Sequence, residues 1–125
     1  MDLNAVEQLK KVLSSITIEK DQIIYEEGDP LGDEYILSLG KVQLFKNTSD
    51  GKLVKKQTIS SMQVFGVWNS ILGNNVRLFT AKALEKSSAL IIPKATLDKK
   101  LSTLDPFLRV LFRQALNDNE NFGLP

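Results

Sequence analysis

The apolar positions change period twice along the chain. Leu3, Val6, Leu9 and Leu13 recur at helical spacing, and Glu7 and Lys11 stand as an i,i+4 pair on the other side. This spacing predicts a short amphipathic helix that packs onto the domain or onto a partner. From Ile16 to Ile92 the period shortens and turn signals become frequent. "ITI" and "QIIYEEGD" read as strands, with a turn at Gly28-Asp29. "EYILSLGKVQLFKN" reads as two strands around Gly40; in the second, Val42, Leu44 and Phe45 alternate with Lys41, Gln43 and Lys46. "NTSDGK" is a hairpin signal with Asp50-Gly51 at its tip, and "LVKKQTIS" returns as the partner strand. "QVF", "LFTAKAL" and "SALIIP" complete a set of about eight short strands, the spacing of an all-β sandwich, jelly roll or small barrel.

The helical period then returns. Pro93 precedes a helix from Lys94 to Ser102, with Leu97 and Leu101 at i,i+4. Asp105-Pro106 is a cap followed by a proline at the first helical position. Phe107, Leu108, Leu111, Phe112, Ala115 and Leu116 build a broad apolar face beyond it, and "NDNENFGLP" ends it in a fraying tail. The layout is a helix over 1–15, a β roll over 16–93 and helices over 94–125, within one domain. There is no repeat, linker or low-complexity segment.

Composition narrows the chemistry. At 125 residues the chain can bury a core without staples, and 42% hydrophobic with 25% charged residues is ordinary for a soluble globular domain. A net charge of +1 gives no global attraction to nucleic acid or anionic lipid, so neither is expected as a partner. With no cysteine there is no disulfide, thiolate nucleophile or sulfur metal site. With no histidine, a Ser-His-Asp triad, a His-based zinc site and the iron facial triad cannot be built from this chain. The first residues lack the apolar run of a signal peptide, and no run reaches the length of a membrane span, so the expected location is cytoplasmic.

The order helix, eight-stranded roll, two helices resembles the cyclic nucleotide-binding domain, from about Ile16 to Leu116. "IIYEEGDPLGDEYILSLGKVQLF" is similar to the family's apolar strand, Glu-Gly-Asp, acidic pair before Tyr, and Gly-x-Val; here these are Glu27, Gly28, Asp29, Asp33, Tyr35, Gly40 and Val42. "VFG" at 64–66 resembles the opening of the family's phosphate-binding cassette (65–80), and Arg77 lies eleven residues after Gly66, within the family's spacing. "LDPFLRVLFRQAL" is similar to the closing helix that caps the bound base.

The resemblance implies a cyclic phosphodiester held by a fixed positive charge and by backbone N–H donors at a helix start. Arg77 would supply the guanidinium. The turn Val67 to Leu72 would supply the helix, and backbone groups at Gly66, Val67, Asn69 and Leu78 would line the site. The bland alternative for Arg77 is a surface charge or structural ion pair. Val67 stands where the family has a glutamate that accepts from the ribose 2′-hydroxyl. That missing acceptor costs about 1–3 kcal/mol, or roughly ten- to a hundredfold in affinity. Leu78 and Phe79 replace small residues. Phe79 either fills the pocket or stacks on a base, Trp68 is another bulky residue of the turn, and Thr80 either reaches a base edge or is an ordinary strand threonine. Asn69 and Ser70 are polar where the family is small or apolar.

The expected function is therefore a non-enzymatic regulatory module with weakened or lost cAMP or cGMP binding, acting through protein contact. The alternative is a working cAMP or cGMP sensor that moves its C-terminal helix over the nucleotide. No cofactor is expected. The partner would be a second copy or another protein, met through the terminal helices. A cupin-type enzyme lacks its histidines here, and no helix-turn-helix is expected within these residues.

Overall fold

The computed structural model describes residues 3–66 and 75–118, with side chains over 4–66 and 75–114. Helix α1 (Leu3–Lys10) leads into eight strands: β1 (Ser15–Ile18), β2 (Ile23–Tyr25), β3 (Glu34–Leu39), β4 (Val42–Asn47), β5 (Leu53–Ile59), β6 (Val64–Phe65), β7 (Thr80–Ala83) and β8 (Ser87–Ile92). Helices α2 (Lys94–Ser102) and α3 (Pro106–Asp118) follow. The strands form two four-stranded sheets, ordered β1-β8-β3-β6 and β2-β7-β4-β5, with every pairing antiparallel. This is a mainly β, jelly-roll-like sandwich with one helix before it and two after.

Two cores explain the hydropathy pattern. Ile18, Leu37, Phe65 and Ala89 of the first sheet meet Tyr25, Val42, Leu44, Ile59, Ala81 and Ala83 of the second. Ile36, Val64, Leu90 and Ile92 point to the other face of the first sheet, where Val6, Leu9 and Leu13 of the N-terminal segment cover them. That sheet is thus buried on both faces, and β3 and β8 read as nearly continuous apolar runs because successive side chains alternate between two dry surfaces. In the second sheet, edge strand β5 shows Lys55 and Lys56 to solvent.

Two local expectations are corrected. Glu7 pairs with Lys10 at 3.1 Å rather than with Lys11, because α1 ends at Lys10. Gln43 is buried rather than facing solvent. Its amide donates to the carbonyls of Leu44 (3.1 Å) and Gln57 (2.9 Å) and accepts from the Thr58 hydroxyl (2.7 Å). Beyond Leu44 the register shifts, with Lys56 as the extra residue on β5. The β3–β4 turn requires its glycine: Gly40 has φ +101°, and a Cβ on it would lie 2.8 Å from the Ser87 Cα.

The C-terminal helices are held at their junction. Asp105 accepts from the N–H groups of Phe107 (2.8 Å) and Leu108 (3.3 Å), capping α3 as its sequence predicts. From α3, Arg109 donates to the carbonyls of Leu101 (2.9 Å), Ser102 and Leu104, closing the end of α2. Beyond that elbow α3 leaves its apolar residues in solvent: Phe107 is 69% exposed and Val110 64%, with Leu108, Leu111 and Phe112 also exposed.

Candidate functional site

The Glu27-Gly28-Asp29 turn holds the main chain of Arg77 from both directions. The Arg77 N–H donates to the Asp29 carbonyl (2.8 Å), and the Gly28 N–H donates to the Arg77 carbonyl (2.9 Å). The Asp29 carboxylate accepts from the Glu26 N–H at 2.9 Å and shapes that turn. Next to it, the Glu27 N–H donates to the Thr80 hydroxyl at 3.0 Å. The backbone around Arg77 is thus fixed by residues about fifty positions earlier.

The Arg77 side chain runs inward and is 3% exposed. Nη1 donates to Glu34 Oε2 at 2.9 Å, and Glu34 is fully buried. Nη2 donates to the Asp33 carbonyl at 2.6 Å. The guanidinium carbon stands 4.1 Å from the ring centre of Tyr25. That ring belongs to a stack with Tyr35 and Phe65, whose own centres are 5.2 Å apart. Nε is buried and has no hydrogen-bond partner among the described residues. Gly66, expected to open the cassette, lies against this pair at φ +90°. A Cβ there would sit 1.9 Å from Glu34 Oε2 and 2.8 Å from Arg77 Nη1. Arg77, Glu34 and Gly66 therefore form one knot.

Asp33 extends the knot toward the C-terminal helices. While its carbonyl accepts from Arg77, its carboxylate accepts from the Lys94 N–H at 2.9 Å. Lys94 is the first residue of α2, whose own preceding residue, Pro93, has no side chain able to cap it. One residue thus ties the arginine to a helix N-terminus through a cap supplied from 61 positions away.

Of the other expected residues, Leu78, Phe79 and Thr80 follow Arg77 in the chain. Phe79 is 6% exposed and belongs to the inter-sheet core, before β7 begins. Lys46 stands 5.5 Å from its ring centre, donates to the Leu78 carbonyl at 2.9 Å and pairs with Glu27 at 3.5 Å. Leu78 packs against the same core, and its carbonyl is taken by Lys46. Thr80 is engaged by Glu27. Val67, Trp68, Asn69, Ser70 and the expected turn from Val67 to Leu72 fall outside the described residues. The described residues include no group of three or more metal-ligating side chains and no helix long and apolar enough to cross a membrane.

Glu34 and Asp33 carry roles that sequence reasoning did not assign. Asp33 stood only as part of an acidic pair. The available signal for Glu34 was a carboxylate leading an otherwise apolar strand, which needs a cation if it is buried.

Burial pushes the Tyr25 hydroxyl well above the usual tyrosine range, and the nearby Arg77 charge offsets only part of that shift. The folded state therefore holds this proton more tightly than the unfolded chain. The associated stability is present in full below pH 10.0, the ordinary tyrosine value, and is lost as pH rises above it. Urea unfolding at pH 9 and pH 11 should show wild type losing more stability than Tyr25→Phe. Equal losses would mean that Tyr25 ionises freely in the fold.

The cyclic nucleotide-binding domain model matches residues 15–103. The chain belongs to that family. Among solved structures, this domain is similar to the EAL enzyme Bd1971 in its cAMP-bound form, at 28% identity and TM-score 0.75, covering 84% of this chain and 28% of that one. The cGMP-bound form of the same enzyme gives 30% identity and TM-score 0.74, with the same coverage. A transcriptional regulator from Thermotoga maritima shares the fold over 98% of this chain and 92% of its own, at TM-score 0.71 and 22% identity. A curated relative, the anaerobic regulatory protein of Bacillus subtilis (strain 168), is 26% identical over 95 residues, 76% of this chain. The domain spans 40% of the length of that regulator.

Proposed function

We propose that this domain is a non-enzymatic, cytoplasmic regulatory module in which cAMP and cGMP binding is weakened or lost, and which signals through protein contact. The observation that carries this reading is the Arg77–Glu34 pair. The guanidinium that would meet a phosphodiester already faces a buried carboxylate at 2.9 Å. Bringing a second anion within about 4 Å of Glu34 costs roughly 4 kcal/mol at an effective dielectric of about 20. That alone turns a micromolar site into a roughly millimolar one. Val67 removes the family's sugar acceptor as well. Phe79 lies in the core with little ring surface left to stack on a base.

The link from Arg77 through Asp33 to the first turn of α2 supports a regulatory role, because any change at the arginine acts on a helix end. The exposed apolar residues of α3 supply a surface for a second copy or for another protein. The alternative, a sensor that closes its C-terminal helix over bound cAMP or cGMP, is favoured by one observation: the buried Nε–H of Arg77 has no acceptor among the described residues.

Isothermal calorimetry on nucleotide-free protein decides between them. The expected result is no saturable heat from cAMP or cGMP up to about 100 μM, well below a millimolar constant. Saturation at low micromolar nucleotide would overturn the proposal in favour of the sensor.

A further inference from the structure

Glu34 is more than a counter-ion that happens to be near. Its Oε2 lies over Gly66, in space left open by the missing Cβ, and against Nη1 of Arg77. This is where the cassette's opening glycine and its arginine converge. A carboxylate oxygen there presents to the guanidinium the charge and lone pairs that a phosphoryl oxygen would present. Meanwhile the guanidinium is not saturated. Of its donors, Nη1 serves Glu34, Nη2 serves a carbonyl, and the buried Nε–H serves nothing among the described residues.

We infer that Glu34 is a tethered anion that occupies the phosphate position on Arg77 and keeps phosphoryl ligands out, so that removing its charge turns the site into an anion receptor. The inference rests on the proposed function and deepens it by naming the residue that sets ligand exclusion. In Glu34→Gln the amide oxygen still accepts from Nη1, so the local shape is kept. The guanidinium charge, however, is now buried without compensation. A buried uncompensated cation recruits an anion, and the idle Nε–H gives that anion a second donor.

The test titrates wild type, Glu34→Gln and Glu34→Gln/Arg77→Gln with inorganic phosphate and with cAMP, by calorimetry and by thermal melting. The expected result is at least tenfold tighter binding of either probe by Glu34→Gln than by wild type, and loss of that gain in the double variant. Folded Glu34→Gln with no gain overturns the inference. So does a gain that survives loss of Arg77, since the anion then binds elsewhere. A phosphate-only gain assigns the site to small anions; a cAMP gain assigns it to phosphodiesters; both uphold the tethered-anion role. If Glu34→Gln is too unstable to isolate, phosphate added during refolding should restore it, because a ligand that binds only the folded state shifts the folding equilibrium; failure of that rescue counts against the inference. The proposed function is judged separately, by wild type alone. Micromolar cAMP binding by wild type sinks that reading, yet leaves the role of Glu34 standing if Glu34→Gln binds tenfold tighter still.

Discussion

Arg77→Leu should destabilise the folded domain by about 3–5 kcal/mol, because it takes the guanidinium charge away from the buried Glu34 carboxylate. An arginine kept only for a ligand would behave differently: its loss would abolish binding and leave the fold untouched. Here the side chain is 3% exposed, donates to Glu34 and to the Asp33 carbonyl, and covers the Tyr25 ring. The double change Arg77→Leu/Glu34→Leu should recover most of the loss, since a buried ion pair replaced on both sides by apolar groups is often neutral or better. Urea unfolding of the two singles and the double, run as a double-mutant cycle, measures this directly. If Arg77→Leu unfolds at the wild-type midpoint, the pair carries no structural role. The expected instability also means that an Arg77 substitution is a poor control for ligand binding unless its fold is verified.

The second large effect is expected at Gly66. Gly66→Ala should cost about 2–5 kcal/mol. Part is the backbone, since φ +90° strains a residue with a Cβ by about 1–2 kcal/mol. The rest is collision: the new Cβ would stand 1.9 Å from Glu34 Oε2, and overpacking costs about 1–3 kcal/mol. Glu34 has little freedom to retreat because it is fully buried. The loss should be less than additive with that of Arg77→Leu, as both changes break one knot. A Gly66→Ala variant within about 0.5 kcal/mol of wild type would show that Glu34 has another place to go.

Much of the architecture was legible because it depends on neighbours in the chain. Strand breaks at Gly28-Asp29, Gly40 and Asp50-Gly51, the Asp105-Pro106 helix start and the apolar face of α3 are local signals, and the observed elements follow them. Gln43 misled because its place is set by strand β5, through Gln57 and Thr58, fourteen and fifteen residues on. Glu7 met Lys10 rather than Lys11 because the helix ends at Lys10, short of Leu13, where its periodicity runs out.

The sequence by itself determined a mainly β roll with flanking helices, and carried the family resemblance that singles out Arg77. The roll rests on period and turn chemistry, which act over a few residues. Only the tertiary structure decided what that charge is doing. Glu34 is 43 positions from Arg77, and Asp33 reaches 61 positions to cap α2. Electrostatics depends on distance and burial in space. Neither is set until the two sheets close and bring the start of β3 over Gly66 and beneath the arginine.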